Sequence, residues 1–186
     1  MIRNNVPHIF FLTLLFLISN ISYTYADWQP AKEGNKIILI RHSIAPGSGD
    51  PPNFKINDCK TQRNLSQKGI EQSERIGKLF KKNQIKIDQV LSSQWCRCKD
   101  TALYAFKNYK EFSALNSTFQ PPHDKNAKKQ IQELKDYIEK WNGRGGNLIL
   151  VTHYVIITAI TDVAPRSGEI VIIDKNYNTL STILTH

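Results

Sequence analysis

The stretch Lys36-Ile37-Ile38-Leu39-Ile40-Arg41-His42 decides how this chain folds, because an uninterrupted apolar run stops there at a cation and an imidazole. Four aliphatic residues in succession, after Gly34-Asn35 and before Pro46-Gly47, predict a strand buried on both faces. Ligands of open α/β sheets sit beyond the carboxyl ends of the strands, so this end offers an anion clamp in Arg41 and a nucleophile in His42. A second run, Asn147-Leu148-Ile149-Leu150-Val151-Thr152, repeats the design and ends in His153.

The segments between these two runs alternate in kind. Ser43 to Asn64 is a long stretch broken by Pro46, Gly47, Gly49, Pro51 and Pro52, and such stretches are usually binding loops or lids. Ser66 is placed as the N-cap of a helix to about Lys82, with small residues at Ser73 and Gly77 that would let it pack close to a sheet. Ile87 to Leu91 predicts a short strand ending at Ser92-Ser93, and Gln94 to Asn108 a helix with Arg97 in its first turn. There Arg97 points at the edge that carries His42. Phe112 to Leu115 reads as a short strand, Asn116 to Lys125 as irregular, and Lys128 to Trp141 as an amphipathic helix stopped by Gly143-Arg144-Gly145-Gly146. A short helix, Tyr154 to Thr161, precedes a terminal hairpin of Glu169 to Asp174 and Thr179 to Leu184. This alternation argues for a three-layer α/β/α sandwich with a mainly parallel sheet and an antiparallel edge.

Residues 1–26 have the features of a secretory signal peptide: Arg3 as the basic start, an apolar run from Ile9 to Ile18 broken only by Thr13, and Thr24-Tyr25-Ala26 before Asp27 as a cleavage site. The run is far short of the roughly 20 residues a bilayer span needs, so no stable membrane span is expected after cleavage. Residues 27–186 are then a single domain, expected to be periplasmic or secreted. The net charge of +9, or +8 without Arg3, is spread along the chain and suits an anionic small substrate as well as a plain basic surface. No basic block interleaved with aromatics suggests nucleic-acid binding. Three cysteines, Cys59, Cys96 and Cys98, lie in the mature part. Outside the cytoplasm thiols tend to pair, so Cys59 is expected to bridge Cys96 or Cys98, and the spacing lacks the fourth ligand of a zinc site.

Three strand ends thus send Arg41 with His42, Arg97, and His153 to one rim. Guanidinium forks suit phosphoryl oxygens, a neutral imidazole can attack phosphorus in line, and a second imidazole can stabilise the spreading charge. In Leu39-Ile40-Arg41-His42, Asn64-Leu65-Ser66 with Gly69, Ser93 to Ala102, and Leu150-Val151-Thr152-His153, the chain resembles the histidine phosphatase superfamily, phosphoglycerate mutase-like, and the text from Ala45 to Pro51 looks like that of a secreted bacterial branch. The resemblance spans about Lys36 to Leu184. It implies a phosphoglycerate mutase-like fold and metal-independent, cofactor-free hydrolysis of small phosphomonoesters. His42 would become the phosphohistidine, Arg41 and Arg97 would hold the phosphate, and His153 would stabilise transfer.

The chain departs from that family at the leaving-group proton donor. The mutase-like branch carries a Glu near the position of Asn116-Ser117, and the acid-phosphatase branch an Asp where Tyr154 stands. Asp124 and Glu169 are the remaining carboxylates for that role, and Arg63 is a further candidate for substrate contact. The missing donor also motivates a second reading, an anion-binding relative in the cell envelope with weak or no turnover.

Overall fold

The computed structural model describes residues 27–185, so the expected signal peptide lies outside the described residues. In chain order the elements are α1 (Gln29–Glu33), β1 (Ile37–Arg41), α2 (Gln67–Lys82), β2 (Ile87–Ser92), α3 (Cys96–Phe106), β3 (Lys110–Glu111), α4 (Ala127–Lys140), β4 (Asn147–Thr152), α5 (Tyr154–Thr161), β5 (Ile170–Ile173) and β6 (Thr179–Ile183). Strands pair in the order β3-β2-β4-β1-β5-β6. The first four run parallel, and β5 is antiparallel to both β1 and β6. The expected sandwich and its antiparallel edge are both present.

The apolar run of β1 is central and covered twice. Ile38 and Ile40 point to the face carrying α2 and α3, where Ile76, Phe80, Cys98 and Ala102 pack. Ile37 and Leu39 point to the other face, against Leu134 and Ile138 of α4 and Ile156 and Ile157 of α5. All four aliphatic side chains of β1 are fully buried, at about 1.5–3 kcal/mol apiece. A strand with a solvent face would have alternated; this one could not.

Ser66 caps α2 as expected, its hydroxyl accepting from the Gly69 amide at 3.2 Å. The small residues of α2 do different work from a close fit to the sheet. A Cβ on Gly77 would stand 2.3 Å from the Ala105 carbonyl oxygen, so Gly77 sets the approach of α2 to α3. Ser73 instead donates a hydrogen bond to the Ser43 hydroxyl at the end of β1.

The strand expected over Phe112 to Leu115 is corrected. The strand is Lys110–Glu111, and Ser113–Leu115 is a 3-10 turn. Ala114 and Leu115 are consecutive and both fully buried, which a turn against α4 allows and an edge strand of period two does not. The short helix α1 was not foreseen; it tucks Trp28 edge-on against Phe80 at 5.3 Å. Among the described residues no helix is long and apolar enough to cross a membrane.

Candidate active site

The register between β1 and β4 builds the site. Arg41 pairs with Thr152, so the next residues, His42 and His153, leave the sheet at one level. Their rings stand 5.5 Å apart, centre to centre, at 67°. Ser92 of β2 is level with Val151, which brings Ser93 and the start of α3 to the same rim. Arg97 falls in the first turn of α3, as expected, and is only 3% exposed. A pocket of about 120 Å³ opens there, lined by Arg41, His42, Arg63, Arg97, Ser117, Phe119, His153 and Tyr154 together with the Gly47-Ser48-Gly49 turn. Drug-sized ligands take roughly 300–1,000 Å³, so this pocket suits a tetrahedral oxyanion with the rest of its molecule outside. A larger hollow of about 440 Å³ between Asp88, Tyr137, Trp141 and Arg144 contains neither histidine.

Hydrogen bonds prepare each imidazole. His42 Nδ1 lies 2.8 Å from the Ser43 carbonyl oxygen, which can only accept, so Nδ1 carries the proton and Nε2 keeps the lone pair. The Ser43 amide donates to Thr101 Oγ1, whose hydroxyl donates to the Arg97 carbonyl, so the backbone beside His42 is tied to the turn that carries Arg97. His153 Nε2 lies 3.0 Å from Ser93 Oγ and 3.4 Å from Cys98 Sγ. The Ser93 hydroxyl donates its proton to Asn116 Oδ1 at 3.1 Å, which leaves Ser93 Oγ as the acceptor for a proton on His153 Nε2. Burial, followed by the Arg97 guanidinium, pushes the pKa of both histidines well below the usual range and keeps them neutral. Burial pushes the Cys98 thiol up to about 12, so it remains a thiol beside His153.

The guanidiniums are held from behind and left open in front. Arg41 Nη1 donates to the Pro165 carbonyl at 2.9 Å, and its guanidinium lies 5.3 Å from the centre of the Tyr154 ring. Arg63 Nε donates to the Gly49 carbonyl and Nη1 to the Ala45 carbonyl, pinning the Pro46-to-Gly49 turn. The Nε atoms of Arg41 and Arg97 are buried without a hydrogen-bond partner among the described residues. Buried donors left unpaired cost about 1–3 kcal/mol each, a cost an oxyanion between them would remove.

Asp50 is the functional residue that sequence reasoning missed. Its carboxylate takes both terminal nitrogens of Arg97, at 2.6 and 3.0 Å, and accepts from Trp95 Nε1 at 2.9 Å. Burial works against the charge, but the hydrogen bonds and charge of Arg97 outweigh it and hold the carboxyl below its usual range. The available signal was that Asp50 is the only carboxylate between Ser43 and Asn57, flanked by Gly49 and Pro51. Three guanidiniums and one carboxylate leave two uncompensated positive charges around the pocket, which matches a phosphoryl dianion.

The two carboxylates offered as proton donors do not reach the pocket, whose lining includes neither. Glu169 turns its carboxylate back to accept from the Arg166 amide at 2.7 Å. Asp124 lies exposed in the 3-10 turn His123–Asn126. Arg63 does line the pocket. Cys59 is bonded to Cys96, one residue before Arg97, and Cys98 is free and buried. Among the described residues no group of three or more His, Cys, Asp or Glu side chains could hold a metal.

Two outcomes follow for purified protein. Replacing Asp50 by Asn leaves the buried Arg97 charge uncompensated, so urea unfolding should show a loss of about 3–5 kcal/mol. Saturating phosphate or tungstate should restore more stability in this variant than in the wild type, whereas a loss under about 1 kcal/mol would mean the pair contributes no more than an exposed one. The histidines set a second dependence. Their folded-state pKa is depressed, so below about pH 6.5 the unfolded chain binds more protons and stability falls as the pH drops, by about 1.4 kcal/mol per pH unit for each histidine until the folded-state titration is reached. A His42→Gln/His153→Gln double variant should lose stability less steeply between about pH 6.5 and 5.5, and parallel profiles would contradict neutral burial.

No protein-family model matches the chain, and no curated protein sequence matches it. Solved structures do. The structure of the protein histidine phosphatase SixA complexed with tungstate is matched with a TM-score of 0.56 at 15% identity, over 78% of this chain and 93% of that one. A phosphoglycerate mutase from Thermus thermophilus is matched with a TM-score of 0.56 at 14% identity, over 81% and 99%. The product of an open reading frame of Mycobacterium tuberculosis gives 0.58 at 15%, over 81% and 97%. At these identities the likeness concerns architecture: the chain has the phosphoglycerate mutase-like histidine phosphatase fold.

Proposed function

We propose that this chain is a phosphatase that hydrolyses small phosphomonoesters through a phosphohistidine on His42. The observation that carries this reading is the pairing of a tautomer-fixed, neutral His42 with two buried guanidinium nitrogens that lack partners. The phosphoryl oxygens sit against Arg41 and Arg97, and Nε2 of His42 attacks phosphorus in line. His153, on the rim beside His42, helps to stabilise the charge that spreads over the equatorial oxygens. Water then displaces phosphate from His42. The charges this chemistry needs are supplied by side chains, so no metal or cofactor has a step in it. Similarity to SixA and to a phosphoglycerate mutase supports the reading at the level of fold.

A specific observation favours the second reading, a weakly active or inactive anion-binding relative. No carboxylic acid lines the pocket, and Asp50 already occupies the terminal nitrogens of Arg97. One experiment separates the two. Brief exposure of purified protein to radiolabelled acetyl phosphate should leave an acid-labile, base-stable label that disappears in His42→Asn. Turnover of a phosphomonoester panel should fall by at least about a thousandfold in that variant. Tight phosphate binding without label or turnover would favour the binding module.

Export is part of the proposal. It is supported by the character of residues 1–26 and by the Cys59–Cys96 bond, which persists in oxidising compartments. Mass spectrometry of the protein from its native cells, without reductant, should find a chain starting at Asp27 with that bond intact. A full-length chain with three free thiols would count against export.

A further inference from the structure

The pocket has a nucleophile and an oxyanion clamp, yet no conventional acid for the departing oxygen. Asp50 is anionic and bound to Arg97 and Trp95. Guanidiniums do not release protons. The O–H groups on the lining are Ser48, Ser117 and Tyr154, and the Ser117 oxygen already accepts from the Phe119 amide at 3.3 Å. An aliphatic hydroxyl is about as weak an acid as the alcohol it would serve. A phenol is a far stronger acid than an alcohol.

Tyr154 is also placed for the work. It follows His153 directly as the first residue of α5, and its hydroxyl has no hydrogen-bond partner among the described residues. Its ring is held on two sides, by Phe119 at 5.8 Å and by the Arg41 guanidinium at 5.3 Å. These two contacts fix the orientation of the ring on the pocket wall. We propose that Tyr154 is a catalytic residue, the general acid that protonates the leaving oxygen; the assignment rests on the phosphatase reading above.

The step balances in both halves. As the bond from His42 Nε2 to phosphorus forms, the bond from phosphorus to the leaving oxygen breaks, and the Tyr154 Oη proton passes to that oxygen. The phenolate stays beside Arg41, and the His42 Nδ1 proton remains on its bond to Ser43. Water then attacks phosphorus, the nitrogen–phosphorus bond breaks, and the phenolate takes the proton of the water. Free alcohol, inorganic phosphate and the original enzyme result.

The test compares wild type with Tyr154→Phe, which keeps the ring against Phe119 and Arg41, on 2,4-dinitrophenyl phosphate, 4-nitrophenyl phosphate, phenyl phosphate and an alkyl phosphate. The readout is kcat/KM, which reports the phosphorylation half-reaction. Removing a general acid should cost phenyl and alkyl phosphates about 100-fold or more, while the dinitrophenyl ester, whose leaving group needs no proton, loses only about threefold. A loss of equal size across the series, or none with phenyl phosphate, overturns the role of Tyr154 and leaves the phosphatase reading intact. Absence of any turnover or His42-dependent label in the wild type overturns both.

Discussion

The parallel register of β1 on β4 is the constraint on which everything else rests. Pairing Arg41 with Thr152 makes two residues more than a hundred positions apart leave the sheet side by side, and the His42 amide donating to the Thr152 carbonyl fixes the last rung. A slip of one residue would turn every side chain of the slipped strand to the opposite face and part the two imidazoles. The two-sided burial of both strands makes such a slip costly, because every side chain of the slipped strand would have to repack in the other layer. Core packing and site geometry are here one requirement.

Given that register, electrostatics follow from what is buried beside what. Burial disfavours the charged form of both imidazoles, and the guanidiniums around the pocket, Arg97 foremost, add to the effect. The result is an imidazole, His42, with a free lone pair at neutral pH. The same concentration of positive charge must be answered by something, and Asp50 answers part of it. Its carboxylate aligns the Arg97 fork and leaves Nε for a ligand, so the ion pair serves placement as well as charge balance.

Asp50 reaches Arg97 because the loop that carries it is tied down at several points. Arg63 holds the Gly49 and Ala45 carbonyls, the Gln62 side chain accepts from the Cys96 amide, and the Cys59–Cys96 bond joins the far end of the loop to the first turn of α3. Closing a loop of 37 residues is worth about 4 kcal/mol in the chain-entropy description. The bond thus anchors the turn that carries Arg97 against the segment that supplies its counter-charge.

Much of the fold was legible in order. The apolar runs at Ile37–Ile40 and Leu148–Val151 could only be doubly covered strands, Ser66 could cap a helix, and the terminal hairpin followed from its turn residues. The local signal failed where burial came from tertiary packing, as at Ala114-Leu115, where an apolar pair looks alike in a strand and in a turn. The site divided along the same line. Residues at strand ends and in first helical turns, namely Arg41, His42, Arg97 and His153, were found because periodicity places them on one rim. Carboxylates could not be sorted that way, since Asp124 and Glu169 look no different in sequence from Asp50. A loop side chain takes its direction from distant partners, here Trp95 and Arg97 for Asp50 and the Arg166 amide for Glu169. By itself, the sequence determined which groups stand at the carboxyl ends of the parallel strands, because hydrophobic burial is periodic and local. Tertiary structure alone decided which charge meets which, because hydrogen bonds and ion pairs across a loop depend on distances that no spacing along the chain records.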